Sequence, residues 1–204
     1  MTSYVFLHLT SCLQGVREVK NWIESPNIEE VKGKYTFMSE DGIKVYLPSI
    51  FKKYPLVEYQ KIVKSLTTDE DYKQENKRLN LLRKMDDHFH IFYDKVTRPT
   101  YTINTLPYHP ISKKDAQFLL GMIRVNNEKT ARDSGLEYKK ITAKYNSKFG
   151  PQIFKAVYRI DNAKKNVTSY SSSYIVSHND KTVYIQLTTA YEMNFDPYLH
   201  KMIM

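Results

Sequence analysis

Apolar and polar positions change period several times along the 204-residue chain, and each change marks an element. Tyr4–Leu9 (YVFLHL) is a compact run of strand formers, and Val16, Val19 and Ile23 then recur at helical spacing. Together they predict a strand followed by an amphipathic helix. Ser25, Pro26 and Asn27 stop that helix, and Ile28–Phe37 and Gly42–Leu47 read as two strands joined through SEDG. Ile50–Val63, interrupted at Pro55, and Asp69–Met85, with Leu79, Leu82 and Met85 on one face, read as helices. Basic and acidic residues alternate there, as on an exposed helix or a connector. Ile91, Phe92 and Tyr93 form an apolar strand segment, and Arg98–Ile111, with Pro99, Pro107 and Pro110, reads as an extended linker. Ser112, with Asp115 three residues on, caps a further helix whose Phe118, Leu119, Met122 and Ile123 supply the expected buried stripe. Val167–Val176 and Thr182–Thr189 are rich in Thr, Tyr, Val and Ile, and flank a turn at Ser177–Lys181, which predicts a β-hairpin.

Between Glu128 and Ile160 the pattern changes the picture. Ala131 is small, where two helices must cross closely. Gly135 can take the positive φ that ends a helix, and Leu136 and Ile141 can plug the angle beyond it. Over about residues 127–146 this arrangement resembles the helix-turn-helix family of DNA-binding motifs. The resemblance implies a second helix aimed at a major groove, with Tyr138, Lys139, Thr142, Ala143 and Asn146 on its outer face. Thr130, Ser134 and Lys144 depart from the family, which places apolar residues there; Tyr145 would have to substitute for Lys144. Two other readings of the stretch stand beside it. Lys148–Ile160 (KFGPQIFKAVYRI) would supply the groove-reading element, with Gly150 ending one helix and Pro151 opening the next. Alternatively the stretch is a helical hairpin with a solvated lysine face.

The expected fold class is therefore α+β. A small amino-terminal α/β sandwich, ferredoxin-like in its strand–helix–strand–strand order, occupies residues 1–97 together with a charged helical connector. Residues 98–111 are the linker, and 112–204 hold the helix-turn-helix region and a carboxy-terminal β-hairpin.

Charge points the same way. The chain carries 31 Lys and Arg against 22 Asp and Glu, a formal net charge of +9, and residues 113–165 hold 13 of the basic residues against 5 acidic ones. Tyr138 to Ile160 contains no Asp or Glu at all. Concentrated positive charge of this kind matches a phosphate backbone. Lys139, Lys140, Lys144, Lys148, Lys155 and Arg159 are the expected phosphate ligands, and Tyr138, Thr142 and Asn146 the base readers. The reading this supports is a sequence-specific DNA-binding regulator of transcription or replication. Its partner is double-stranded DNA or RNA, and a homodimer is expected by analogy.

The single Cys12 excludes an internal disulfide framework and a cysteine-based zinc site. No stretch approaches the roughly twenty apolar residues that span a bilayer, and the first residues lack the basic leading region of an export signal. The expectation is an intracellular protein, cytoplasmic or nucleoid-associated, with no membrane partner, no cofactor and no metal.

Two histidine features carry an enzymatic alternative. His8, Leu9 and Thr10 match one half of the signature of two-histidine phosphoesterases, in which two copies of His, any residue, then Thr or Ser flank a phosphodiester. None of His88, His90, His109, His178 and His200 supplies the second copy. The proton donor and acceptor such chemistry needs are then not both present. His88 and His90 fall at strand spacing and share one face, with Asp86 beside them; these are metal-ligand types whose further ligands the sequence does not identify. A phosphodiesterase or nuclease-like enzyme using His8 and Thr10, or His88 and His90, is the second reading. A protein-interaction module with a basic face is the third. No Gly-rich phosphate loop, GxSxG or HExxH motif is present.

Overall fold

A computed structural model describes residues 20–21, 30–85, 88–148 and 150–204, and one large sheet organises its backbone. The strands are β1 (Lys20–Asn21), β2 (Lys34–Met38), β3 (Ile43–Leu47), β4 (Lys52–Tyr54), β5 (Phe89–Tyr93), β6 (Thr100–Leu106), β7 (Leu136–Asn146), β8 (Gln152–Asn162), β9 (Val167–His178) and β10 (Lys181–Thr189). The helices are α1 (Leu56–Leu66), α2 (Asp69–Arg83), α3 (Lys113–Ser134) and α4 (Asp196–His200). The large sheet has the order β1-β7-β8-β9-β10-β6-β5-β4. It is antiparallel except for β1, which runs parallel to β7; β2 and β3 form a separate hairpin.

Register fixes which residues share a face. Ile91, Thr102, Gln186, Ser173, Ala156 and Ala143 stand in line across the sheet, and so, one residue along, do Phe92, Tyr101, Leu187, Ser172, Val157 and Thr142. The first line faces the helices. Tyr59 and Val63 of α1 and Leu79 of α2 pack on Ile91 and Tyr93, while Ala116 and Leu120 of α3 pack on Ala143, Tyr145, Phe154 and Ala156. The second line faces the β2–β3 hairpin and α4. There Met38, Ile43, Val45 and Leu47 meet Phe92, Tyr101, Ile103, Tyr174, Val183, Ile185, Leu187 and Phe195. At roughly 1.5–3 kcal/mol for each large apolar side chain fully buried, this hairpin face is the largest hydrophobic contribution to the fold.

Several expected elements are present. SEDG joins β2 to β3. Asn179 and Asp180, with φ of 46° and 57°, make the two-residue turn between β9 and β10 whose positive φ matches strand twist. Other expectations are corrected. The small α/β sandwich followed by a helix-turn-helix region is replaced by one sheet with α1, α2 and α3 on one face and the β2–β3 hairpin and α4 on the other. The β2–β3 hairpin covers that sheet instead of belonging to a ferredoxin-like half. Residues 98–111 contain β6, a central strand, and strands on both sides of that stretch share the sheet. Lys20–Asn21 are extended, within the segment whose spacing predicts a helix. Tyr4–Leu9, and with it His8 and Thr10, lies outside the described residues.

The principal correction concerns Leu136–Asn146 and Gln152–Asn162, which are the adjacent strands β7 and β8. Gly135 does end α3 in the left-handed conformation, with φ of 70°, but an extended strand succeeds it, not a second helix. Period-2 alternation in β7 is broken by a bulge between Lys140 and Thr142. Leu136, Tyr138 and Lys140 before it share the helix-facing side with Ala143 and Tyr145 after it, which puts Leu136, Lys140 and Ala143 at i, i+4 and i+7, the spacing of a helical repeat. β8 is buried on both faces from Ile153 to Tyr158, so its apolar run carries no alternation to betray a strand.

Candidate binding cleft

Helix α3 starts from a complete capping box. The Asp115 backbone N–H donates to Ser112 Oγ at 3.2 Å, and the Ser112 N–H donates to Asp115 Oδ2 at 2.8 Å. Its start is fastened to the sheet by Tyr145, whose hydroxyl donates to the Ile111 carbonyl at 2.6 Å, and by the Ile111 N–H, which donates to Gln152 Oε1 at 2.5 Å. Beside the second half of the helix a cleft of about 490 Å³ opens between α3, β7 and β8. Ala131, Leu136, Tyr138 and Tyr158 give it apolar and aromatic walls, while Arg124, Asn127, Glu128, Glu137 and Lys140 place polar groups along it. Burial raises the Tyr138 phenol above its ordinary range, so at neutral pH it is an uncharged hydroxyl, able to donate and accept. Arg124 Nε lies 3.9 Å from Glu128 Oε1, a loose pair on one helix face.

The cleft abuts the sheet margin. Among the described residues β7 is paired on its outer side only at Lys144 and Tyr145, by β1, and the edge from Leu136 to Ala143 has no strand beside it. The lysines that dominate this stretch therefore sit on β7 and beside it, near the sheet margin.

The nine residues expected to hold nucleic acid are divided between two faces. Tyr138 and Lys140 line the cleft. Lys139 points the other way, with Nζ 3.4 Å from Glu137 and 3.8 Å from Asp161. Thr142 and Lys144 are half-buried on that opposite side, and Asn146 is buried, accepting the Lys148 N–H at 2.9 Å while Lys148 itself is exposed. Lys155 is buried, with Nζ 2.7 and 2.9 Å from the two carboxylate oxygens of Asp196 on α4. Arg159 donates to Asp161 Oδ1 at 2.9 Å. Strand alternation thus disperses a set that a helix would have gathered.

His88 and His90 do share a face, and their partner is Asp41, in the turn between β2 and β3. His88 Nδ1 lies 2.9 Å from Asp41 Oδ1, His90 Nε2 lies 2.6 Å from Oδ2, and Thr105 Oγ1 donates to Oδ1 at 2.7 Å. Burial opposes the carboxylate charge. The hydrogen bonds of Thr105 and His90, the field of His90 and the bond of His88 outweigh it and hold Asp41 below the usual carboxylate range. The arrangement pins the hairpin to β5 and β6. Its signal in the sequence is an Asp beside the turn glycine Gly42, 47 positions before His88, a pairing that only tertiary structure reveals. Among the described residues no three His, Cys, Asp or Glu side chains are grouped to hold a metal ion.

No family model matches this chain, and no curated protein matches it in sequence. Among solved structures it is similar to the solution structure of cyanobacterial PsbP (CyanoP) from Synechocystis sp. PCC 6803, at a TM-score of 0.52 and 13% identity over 89% of this chain and 98% of that one. The likeness is one of fold. Together with the strand that replaces the second helix, it overturns the reading as a helix-turn-helix DNA-binding regulator with double-stranded DNA as its partner. None of the described helices is long and apolar enough to cross a membrane.

Proposed function

We propose that this chain is a binding module whose ligand is an extended segment of a partner protein, added as a strand to the edge of β7 that no strand covers among the described residues. The observation that carries this reading is the continuity of that edge with the cleft beneath α3. A strand laid along Leu136–Ile141 gains main-chain hydrogen bonds from the edge and directs every second side chain into the cleft. Side chains entering it meet Ala131, Leu136, Tyr138 and Tyr158, which favours apolar or aromatic residues. Intervening side chains lie on the opposite face, beside Glu137 and Lys139, where polar groups find cross-strand partners. The preferred ligand is therefore a segment that alternates apolar and polar residues.

Displayed random peptides selected on the parent protein, with counter-selection on Ala131→Trp, test the reading. Enriched peptides should show that alternation, and Ala131→Trp, which fills the cleft, should weaken their binding by about tenfold or more. In the bound state the amides of Leu136–Ile141 should exchange more slowly. Enrichment of peptides that bind Ala131→Trp equally well, or no enrichment at all, would remove the cleft from the proposal.

A further inference from the structure

The outer face of α3 presents a second surface, on the side of the helix turned away from its packed face. Phe118, Met122 and Val125, at i, i+4 and i+7, are 68%, 54% and 61% exposed, opposite the buried Ala116 and Leu120. The 3.6-residue period places exposed Lys114, Lys129 and Arg132 in the same sector, at the two ends of the apolar stripe, while Asp115, Glu128 and Asp133 fall to its sides. Sequence spacing groups Phe118 and Met122 with Leu119 and Ile123 as one buried stripe, yet these two point to solvent. We infer that this ridge is a docking surface for an anionic lipid bilayer, with Phe118, Met122 and Val125 entering the headgroup–acyl boundary and Lys114, Lys129 and Arg132 meeting the lipid phosphates.

Charge and shape select this occupant. In a second copy packed antiparallel, the register that sets Phe118 against Val125 also sets Lys114 against Lys129 at both ends, so like charges oppose each other where the apolar residues meet. A stable protein interface engages roughly 20–30 residues on each side with matched shape, whereas the stripe is a convex ridge of three large apolar side chains. A bilayer asks for no shape complementarity. Each apolar side chain that enters it and each cation near its surface contributes separately, and the net charge of +9 adds long-range attraction to an anionic sheet.

Flotation of the full chain with vesicles tests the inference. Binding to phosphatidylcholine vesicles containing phosphatidylserine should exceed binding to pure phosphatidylcholine by about tenfold or more and should weaken with salt. The triple change Phe118→Ser, Met122→Ser and Val125→Ser should abolish it at an unchanged melting temperature, because all three side chains are exposed. Lys114→Glu with Lys129→Glu should abolish it as well. In Phe118→Trp, emission beyond that of the single native Trp22 should shift to the blue with anionic vesicles and be quenched by brominated lipid. Equal flotation of parent and triple variant, or no flotation of the parent, would overturn the assignment. Stripe-dependent binding to polyglutamate without vesicle binding would overturn it in favour of an acidic protein.

Discussion

Asp41 shows how much one residue can hold. Its buried carboxylate accepts from Thr105 and lies within hydrogen-bond distance of both His88 and His90, so the β2–β3 turn is tied to two strands of the large sheet at a single point. Asp41→Asn removes the charge and turns one acceptor into a donor facing His90. It should cost about 1–3 kcal/mol in urea unfolding, the usual range for a buried polar group left badly paired. The pH dependence comes from the lowered ionisation of Asp41. The unfolded carboxyl takes up its proton near the ordinary value of 3.8, before the folded one does. The stabilisation is therefore complete above that value and is lost as pH falls through the lower, folded value. Asp41→Asn should flatten this part of the acid limb of the stability curve, and an unchanged acid limb would count against the assignment. The sequence shows His88 and His90 as a same-face pair, since strand period 2 requires it. It cannot show Asp41, which reaches them only because the hairpin folds over β5.

At the scale of elements, α3 and β7 meet at Gly135. A Cβ there would lie 3.6 Å from Lys164 Cε, ordinary contact distance, so space does not forbid a side chain and only the backbone conformation does. Gly135→Ala should cost about 1 kcal/mol by thermal unfolding, as strain at positive φ. The ends of α3 were legible in the sequence because caps are local: Ser112, Asp115 and Gly135 satisfy backbone groups within a few residues. The strand beyond Gly135 was not legible. The bulge in β7 puts Leu136, Lys140 and Ala143 of one face at i, i+4 and i+7, as a helix also would, and the choice between them was made by pairing with β8 over Leu136–Asn146. The candidate cleft was legible only as a region. Tyr138 and Lys140 were already candidate residues, but Arg124, Asn127 and Tyr158 join them because α3 packs across two strands.

At the scale of the molecule, α4 is held to the sheet by an ion pair that the sequence places in a solvated basic surface. Lys155 contacts both oxygens of Asp196, Tyr174 donates to the same carboxylate at 3.2 Å, and Phe195, next to Asp196, packs against Tyr101 with ring centroids 5.2 Å apart. Lys155→Ala leaves Asp196 without its cation. It should lower stability by about 1–3 kcal/mol, less than a fully buried pair would lose, because Asp196 is half-buried and water can reach it. Replacing Lys155 and Asp196 together by Met and Leu should recover much of that loss; urea midpoints of the single and double variants would measure the difference. By itself, the sequence determined what depends on neighbours along the chain: the capped start and glycine end of α3, the β2–β3 and β9–β10 turns, the charged helix α2, and the excess of lysine between residues 113 and 165. Tertiary structure alone decided which strands pair, which lysines are buried, and which side of α3 faces solvent. Those outcomes depend on contacts between residues far apart in the chain, whose free energies outweigh the small local differences between a helix and a strand.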